Sequence, residues 1–374
     1  MIMNKLVIEL LQISLGNRSG LSHVPTGSEW VLLYQMAQKQ TILGVLSTGL
    51  ECLPESQRPP KDVLLKWIAQ VYQTDSRNAQ LSKACYCLSE ELEKAGFYVC
   101  FLKGQANHAY YPVSMANKRA CGDIDVWVAP SCGDKHPIKS VINYLETRYE
   151  MVGLCWLHAC MLYKDNISVE VHFRPSFMNE PLRNWRFQKH FNDIKQCICL
   201  KEVDGRHLSA MKVDEDVIYQ MNHIYRHLID EGVGLRQVVD YYFLLRAWSN
   251  QHTRTKEETM RIVSWLGMKR FAGALMYVLR ETCGMSAEFF LCPASIKDGR
   301  FLLDEVMQAG NFGHGDTRME AVKGSEGRLR YQLGHEWWRI KRNMRFLSSY
   351  PGEVIWEPCA RARHYGWKKF GVWK

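Results

Sequence analysis

The chain has 374 residues, of which 47% are hydrophobic and 23% charged, with a net charge of +9. These proportions exclude a disordered or fibrous chain, and the length admits a sizeable core in two or three packed units. No apolar run approaches the roughly 18 to 20 residues that cross a bilayer, so no membrane insertion is expected.

The first stretch, MIMNKLVIELLQISLGN, is interrupted by Glu9 and lacks a small-residue cleavage site. It reads as an amphipathic helix, and the cytoplasm is the expected compartment. Residues 1–95 read as helical, with periodic apolar stretches at 3–15, 28–39, 61–73 and 77–95. Asp75 looks like a cap and Gly96 a stop. FYVCFL (97–102) and DIDVWV (123–128) then read as strands, the second ended by Pro130. After a helix at 137–148, strands are expected at 154–163 and 167–173, joined as a hairpin by the turn residues KDN (164–166). From about residue 179 the pattern is mostly helical, clearest at 214–231, 235–248, 258–281 and 328–348. The expected fold is α+β, a small mixed sheet (96–200) flanked by helical regions at 1–95 and 201–374.

The 13 cysteines are odd in number and include no CxxC pair, the closest being Cys85/Cys87 and Cys197/Cys199. They read as reduced, mostly buried thiols. From Gly327 onward the chain is basic and interleaved with Trp337, Trp338, Trp356 and Trp367. Such a segment grips nucleic acid or forms a solvated basic face whose aromatics pack inward; the second is the plainer expectation.

Alternate side chains of a strand share a face. Asp123, Asp125 and Trp127 therefore point one way, with Ile124, Val126 and Val128 toward a core. In ISVEVHFRP, Val169, Val171 and Phe173 face the core while Ser168, Glu170 and His172 face away. If these strands are neighbours, Asp123, Asp125 and Glu170 converge, and hard oxygen ligands on rigid strands suit Mg²⁺. Two such ions clamp the entering and leaving oxygens of a phosphoryl displacement. The plain alternative is the wet face of an exposed sheet. Upstream, Lys103-Gly104 ends a strand where a helix opens near Gln105, which suits phosphate or is simply a turn. Lys118 and Arg119 precede the acids, as triphosphate holders or as loop cations.

Farther on, His223 and His227 have zinc spacing but no third ligand follows. Arg236 and Asp240, also four apart, form an ordinary ion pair or hold phosphate and orient the acceptor. Gly310, Gly313 and Gly315 in AGNFGHGDTR (309–318) mark a loop, a connector or a cover over a site.

The ordered run FLKG, YYP, KRACGDIDVWV, ISVEVHFRP resembles the uncharacterised nucleotidyltransferase family of the DNA polymerase β-like superfamily. The likeness covers roughly residues 97–175 and extends more softly to 223–245, 309–318 and 348–358. By resemblance Gly104 is the turn glycine, Asp123 and Asp125 the paired acids, and Glu170 the third. The turn departs from the superfamily's usual Gly-Ser or Gly-Gly, and the gap from Gly104 to Asp123 is long. Lys103-Gly104 and Arg119 look like the family's own variant.

The resemblance implies metal ligation and catalysis by Asp123, Asp125 and Glu170, with two Mg²⁺ or alternatively Mn²⁺. It implies a nucleoside triphosphate held among Lys103, Gly104, Lys118, Arg119, His172, Arg236 and Asp240. The acceptor stays open among small molecule, saccharide, RNA and protein. The rival expectations are a catalytically inactive nucleotide-binding or assembly protein, and a toxin-like enzyme nucleotidylating tRNA or protein.

Overall fold

The computed structural model describes residues 2–313 and 328–370. The chain opens with helices α1 (Ile2–Ser14), α2 (Gly27–Lys39), α3 (Leu43–Cys52) and α4 (Lys61–Lys94). Thr26 and Glu29 start α2 with a reciprocal capping box. α4 corrects one expectation, because a single 34-residue helix runs straight through Asp75. No glycine or proline interrupts it, and its halves are buried in different cores. Trp67 belongs to a large helical core, whereas Leu81, Leu88 and Leu92 lie under the sheet.

Seven strands form one mixed sheet in the order β3-β4-β5-β2-β1-β7-β6. β1 (Phe97–Phe101) pairs antiparallel with β2 (Ile124–Pro130), the short α5 (Val113–Ala116) lying between them in the chain, and β2 pairs parallel with β5 (Ile167–His172). The strand expected over 154–163 is two, β3 (Glu150–Leu154) and β4 (His158–Tyr163), reversing at Cys155–Leu157. The apolar run GLCWLH carries no Pro, Asn or Asp to mark that reversal. β4 and β5 form the expected hairpin, with Asp165 and Asn166 at positive φ in its turn.

The region beyond 179 is not uniformly helical. After α7 (Pro181–His190) and α8 (Ile194–Cys197), β6 (Ile198–Val203) and β7 (Arg206–Met211) add a hairpin to the sheet. Its turn is Asp204-Gly205, both at positive φ (48° and 74°), the backbone that two-residue hairpins need.

Both faces of the sheet are covered. Ile124, Val126 and Val128 pack toward α4 and α6 (Pro137–Glu146), as expected of the core side. Trp127 is also buried, at 3% exposure, in the helical core on the other face, so β2 is not a half-exposed strand. Asp123, just before the strand, is half-buried, and Asp125 within it is buried.

That second face is covered by α9 (Val213–Asp230), α10 (Leu235–Gln251), α11 (Lys256–Trp265), α12 (Lys269–Cys283) and α13 (Ile296–Ala309). The stretch expected as one helix over 258–281 breaks at Gly267, which is left-handed (φ 79°). Gly310 and Gly313 are also left-handed, while Gly315 lies outside the described residues. Two helices, Arg328–Phe346 and Pro351–Phe370, finish the described chain. Their expected polarity is partly inverted: Arg342 is buried and donates to the carbonyls of Leu228 and Ile229, whereas Trp337 and Trp356 are 59% and 40% exposed. Among the described residues no helix is long and apolar enough to cross a membrane.

Candidate functional site

The parallel register of β2 and β5 sets Asp125 directly opposite Glu170, and Asp123 immediately precedes β2. One carboxylate oxygen from each of the three lies within 4.8 Å of the others. Three acids this close repel unless cations compensate. Lys103 Nζ lies 3.1 Å from Asp125 Oδ2, and His172 Nε2 lies 3.2 Å from Asp125 Oδ1 and 3.5 Å from Glu170 Oε2.

The electrostatics follow that distribution. Burial works to raise the Asp125 carboxyl, but Lys103 and His172 together hold it well below the usual range. The charge of Asp125, then burial, push Asp123 upward against the pull of Lys103. Burial likewise opposes ionisation of Glu170, yet its hydrogen bond with His172 brings it below the ordinary value. His172 loses by burial and gains more from Asp125 and Glu170, so its imidazole is raised. Among the described residues Asp123 is the acid of the three with no ion pair of its own, and the hard carboxylate set around it fits a divalent ion.

Gly104 begins a seven-residue 3₁₀ helix (Gly104–Tyr110), not the α-helix expected near Gln105. Its φ of +64° requires glycine for conformation, since a Cβ would meet the Asp123 carbonyl at an ordinary 3.7 Å. The turn's positive charge therefore comes from Lys103 rather than from a helix end.

The residues upstream of the acids divide. Lys118 turns away to Glu51 (3.1 Å), beside a separate 720 Å³ cavity lined by Trp67, Tyr72 and Asp75. Arg119 is buried and grips Asp240 with two bonds of 2.6 Å, while the Tyr111 hydroxyl donates to Asp240 at 2.7 Å. Asp240 thus pairs with Arg119 and also feels the charge of Arg236, whose Nη1 donates to the Ala120 carbonyl at 3.1 Å. Both arginines brace the 119–122 loop that delivers Asp123. Cys121 in that loop lies 3.0 Å from Arg119 Nη1 and 3.6 Å from His108 Nε2.

His223 and His227 stack edge to face (centroids 4.2 Å apart), and His227 faces Glu231 at 3.2 Å. Neither belongs to a metal-competent cluster among the described residues. Desolvation first, then His227, Lys103 and Arg226, hold His223 well below the usual imidazole value.

Sequence reasoning missed His158. It sits opposite His172 across the β4–β5 ladder, with Nδ1 3.5 Å from Glu170 Oε2. Counting back from the KDN turn finds it. Burial, then His172, push its imidazole down to about 4. His158 also lines a 320 Å³ cavity whose walls include Trp156, Phe177, Arg226, Arg339 and Tyr365. Arg226, 4.9 Å over the Phe177 ring, had no signal in the sequence beyond its place on an apolar helix.

A mixed sheet carrying paired acids on one strand and a third on its parallel neighbour defines a nucleotidyltransferase-type core. Residues 26–284, more than half of the chain, match the family described as uncharacterised nucleotidyltransferase, and the chain belongs to that family. Among solved structures, an antigenic nucleotidyltransferase-like protein from Paracoccidioides brasiliensis aligns at 10% identity and a TM-score of 0.34. The alignment covers 59% of this chain and 96% of that one. No curated protein matches.

Proposed function

We propose that the chain transfers a nucleoside monophosphate from a nucleoside triphosphate to an acceptor hydroxyl. The observation that carries this reading is the convergence of Asp123, Asp125 and Glu170 from two neighbouring strands. Asp123 and Asp125 would hold two Mg²⁺, or Mn²⁺ in their place, and Glu170 would complete one site. Bound there, such ions would supply positive charge to offset the triphosphate and the charge that develops during transfer.

The acceptor oxygen bonds to the α-phosphorus as the bond from that phosphorus to the α,β-bridging oxygen breaks. Pyrophosphate leaves, and Glu170 is placed to help remove the acceptor's proton. Lys103, beside Gly104, supplies positive charge for the triphosphate. His172 orients Asp125 and Glu170, and Arg119, Arg236 and Asp240 act by holding the loop before Asp123. Lys118 has no part in this assignment. The protein's share is positioning and charge neutralisation.

The test is a screen of labelled nucleoside triphosphates against cell extract, with wild type and Asp123→Asn. Label transferred by wild type alone names the donor and the acceptor class, whether small molecule, saccharide, RNA or protein. Transfer undiminished in Asp123→Asn overturns the reading. Triphosphate binding with no pyrophosphate release in wild type makes the chain a nucleotide-binding protein instead.

A further inference from the structure

The carboxylate trio has a neighbour, His158, that the proposed chemistry does not use. His158 and His172 face each other across the β4–β5 ladder, with ring centroids 5.1 Å apart. Glu170 Oε2 lies 3.5 Å from His158 Nδ1 and 3.5 Å from His172 Nε2. One ligand atom from each of the three lies within 4.8 Å of the others. In a tetrahedral site with bonds of about 2.0–2.1 Å, neighbouring ligand atoms stand about 3.4 Å apart. Both distances from Glu170 already match that edge.

We propose that His158, Glu170 and His172 form a second, imidazole-rich site for a borderline first-row divalent cation such as Zn²⁺ or Co²⁺, sharing Glu170 with the carboxylate site. The inference rests on the reading of Glu170 as a metal ligand.

Three further observations support it. The Nδ1 of His158 is buried and finds no hydrogen-bond partner, a cost that a coordinated cation removes. The three ligands come from paired strands of one sheet, so their spacing is set by the ladder and not by loops. His158 also borders the 320 Å³ cavity, which leaves room for water or an acceptor oxygen in a fourth position.

Charge opposes and favours the ion in identifiable ways. Lys103 and Arg226 are positive groups whose fields reach these residues, and Asp125, Asp123 and Glu170 are the negative ones. Imidazole selects against Mg²⁺ and Mn²⁺, which prefer oxygen, and toward Co²⁺ or Zn²⁺. Glu170 would join a hard site and a borderline site, so the two ions need not be the same element. The competing account of the same distances is an imidazolium at His172 shared between Asp125 and Glu170, with no metal.

The test uses Co²⁺ as the probe. The full chain is stripped with chelator and titrated with Co²⁺ in excess Mg²⁺, following visible d–d absorption and the ions bound per chain. Wild type is expected to develop the intense absorption of a four- or five-coordinate ion that Mg²⁺ does not displace. His158→Ala is expected to lose that band and to bind Co²⁺ roughly tenfold or more weakly, since even outer partners of metal ligands are worth that much. His158→Gln, checked by thermal melting, guards against a folding defect.

Asp123→Asn separates the two readings, because it removes a ligand of the carboxylate site alone and is expected to keep the band. Identical titrations of wild type and His158→Ala overturn the imidazole site and leave the nucleotidyl-transfer reading standing. A band that persists in a wild type without Asp123-dependent transfer does the reverse.

Discussion

Arg119 and Asp240 are joined by two bonds of 2.6 Å inside the protein, with side-chain exposures of 4% and 6%. Replacing Asp240 by Leu strands the Arg119 guanidinium without its counter-charge, which costs about 3–5 kcal/mol. It also removes the acceptor of the Tyr111 hydroxyl, which costs about 1–3 kcal/mol more. Exchanging the whole group (Arg119→Met, Tyr111→Phe, Asp240→Leu) leaves neither a stranded Arg119 charge nor an orphaned Tyr111 hydroxyl, with Arg236 still held by the Ala120 carbonyl. It is expected to recover most of the stability, because a buried ion pair is often replaceable by apolar residues.

Catalysis should not recover with it. The same arginine holds the loop that delivers Asp123, and Arg236 on the next turn of α10 holds the Ala120 carbonyl. Urea denaturation measures the stability, and the labelled-triphosphate assay measures the transfer. The expected pattern is a single variant that is unstable and inactive, and a triple variant that is stable and still inactive. A triple variant as unstable as the single would refute the electrostatic account. One with full transfer would refute the positioning role.

Gly44 on α3 lies against the Lys118 carbonyl, which a Cβ would approach to 1.7 Å. Gly44→Ala is therefore expected to cost about 1–3 kcal/mol and to depress transfer by shifting the loop before Asp123, read by melting and by the transfer assay. Burial, opposed by the Asn179 N–H and Arg183, raises the Glu353 carboxyl from 4.5 to about 7. Its contribution to stability is whole below about pH 4.5 and lost as pH rises through 7. Glu353→Gln should match wild type near pH 4.5 and exceed it at pH 8 by at most about 3 kcal/mol; parallel stability curves across that range would count against the buried acid. Lys103→Met removes the ammonium 3.1 Å from Asp125. It should tighten Mn²⁺ binding measured by electron paramagnetic resonance and raise the KM for triphosphate. Unchanged Mn²⁺ affinity would show that Lys103 does not compete with the cation.

The residues that sequence pattern exposed are those whose roles are local. Alternation along DIDVWV and ISVEVHF placed Asp123, Asp125 and Glu170 correctly, because a strand's period is enforced by backbone geometry. The pattern could not say that helices cover this face of the strand too, so Trp127 looked exposed and is buried. The Asp204-Gly205 turn was legible and the β6–β7 hairpin went unread beside stronger helical signals. The spacing of Arg236 and Asp240 suggested a pair on one helix. Arg119, 121 positions upstream of Asp240, makes the bidentate contact instead, and no local pattern anticipates a partner that tertiary packing supplies. Lys118 and Arg119 are adjacent in the chain, yet one turns to α3 and the other to α10.

The clasp of Arg342 on the last carbonyls of α9 has a consequence in time. By residue 172 the chain contains the three carboxylates and both strands that present them. The cavity beside them is lined in part by Arg339 and Tyr365, which leave the ribosome well after the acids, and Arg342, made between those two, reaches back to Leu228 and Ile229. A growing chain would therefore own its cation ligands well before it owns an enclosure around them. Synthesis itself would order the site, with charge placed first and shelter added later.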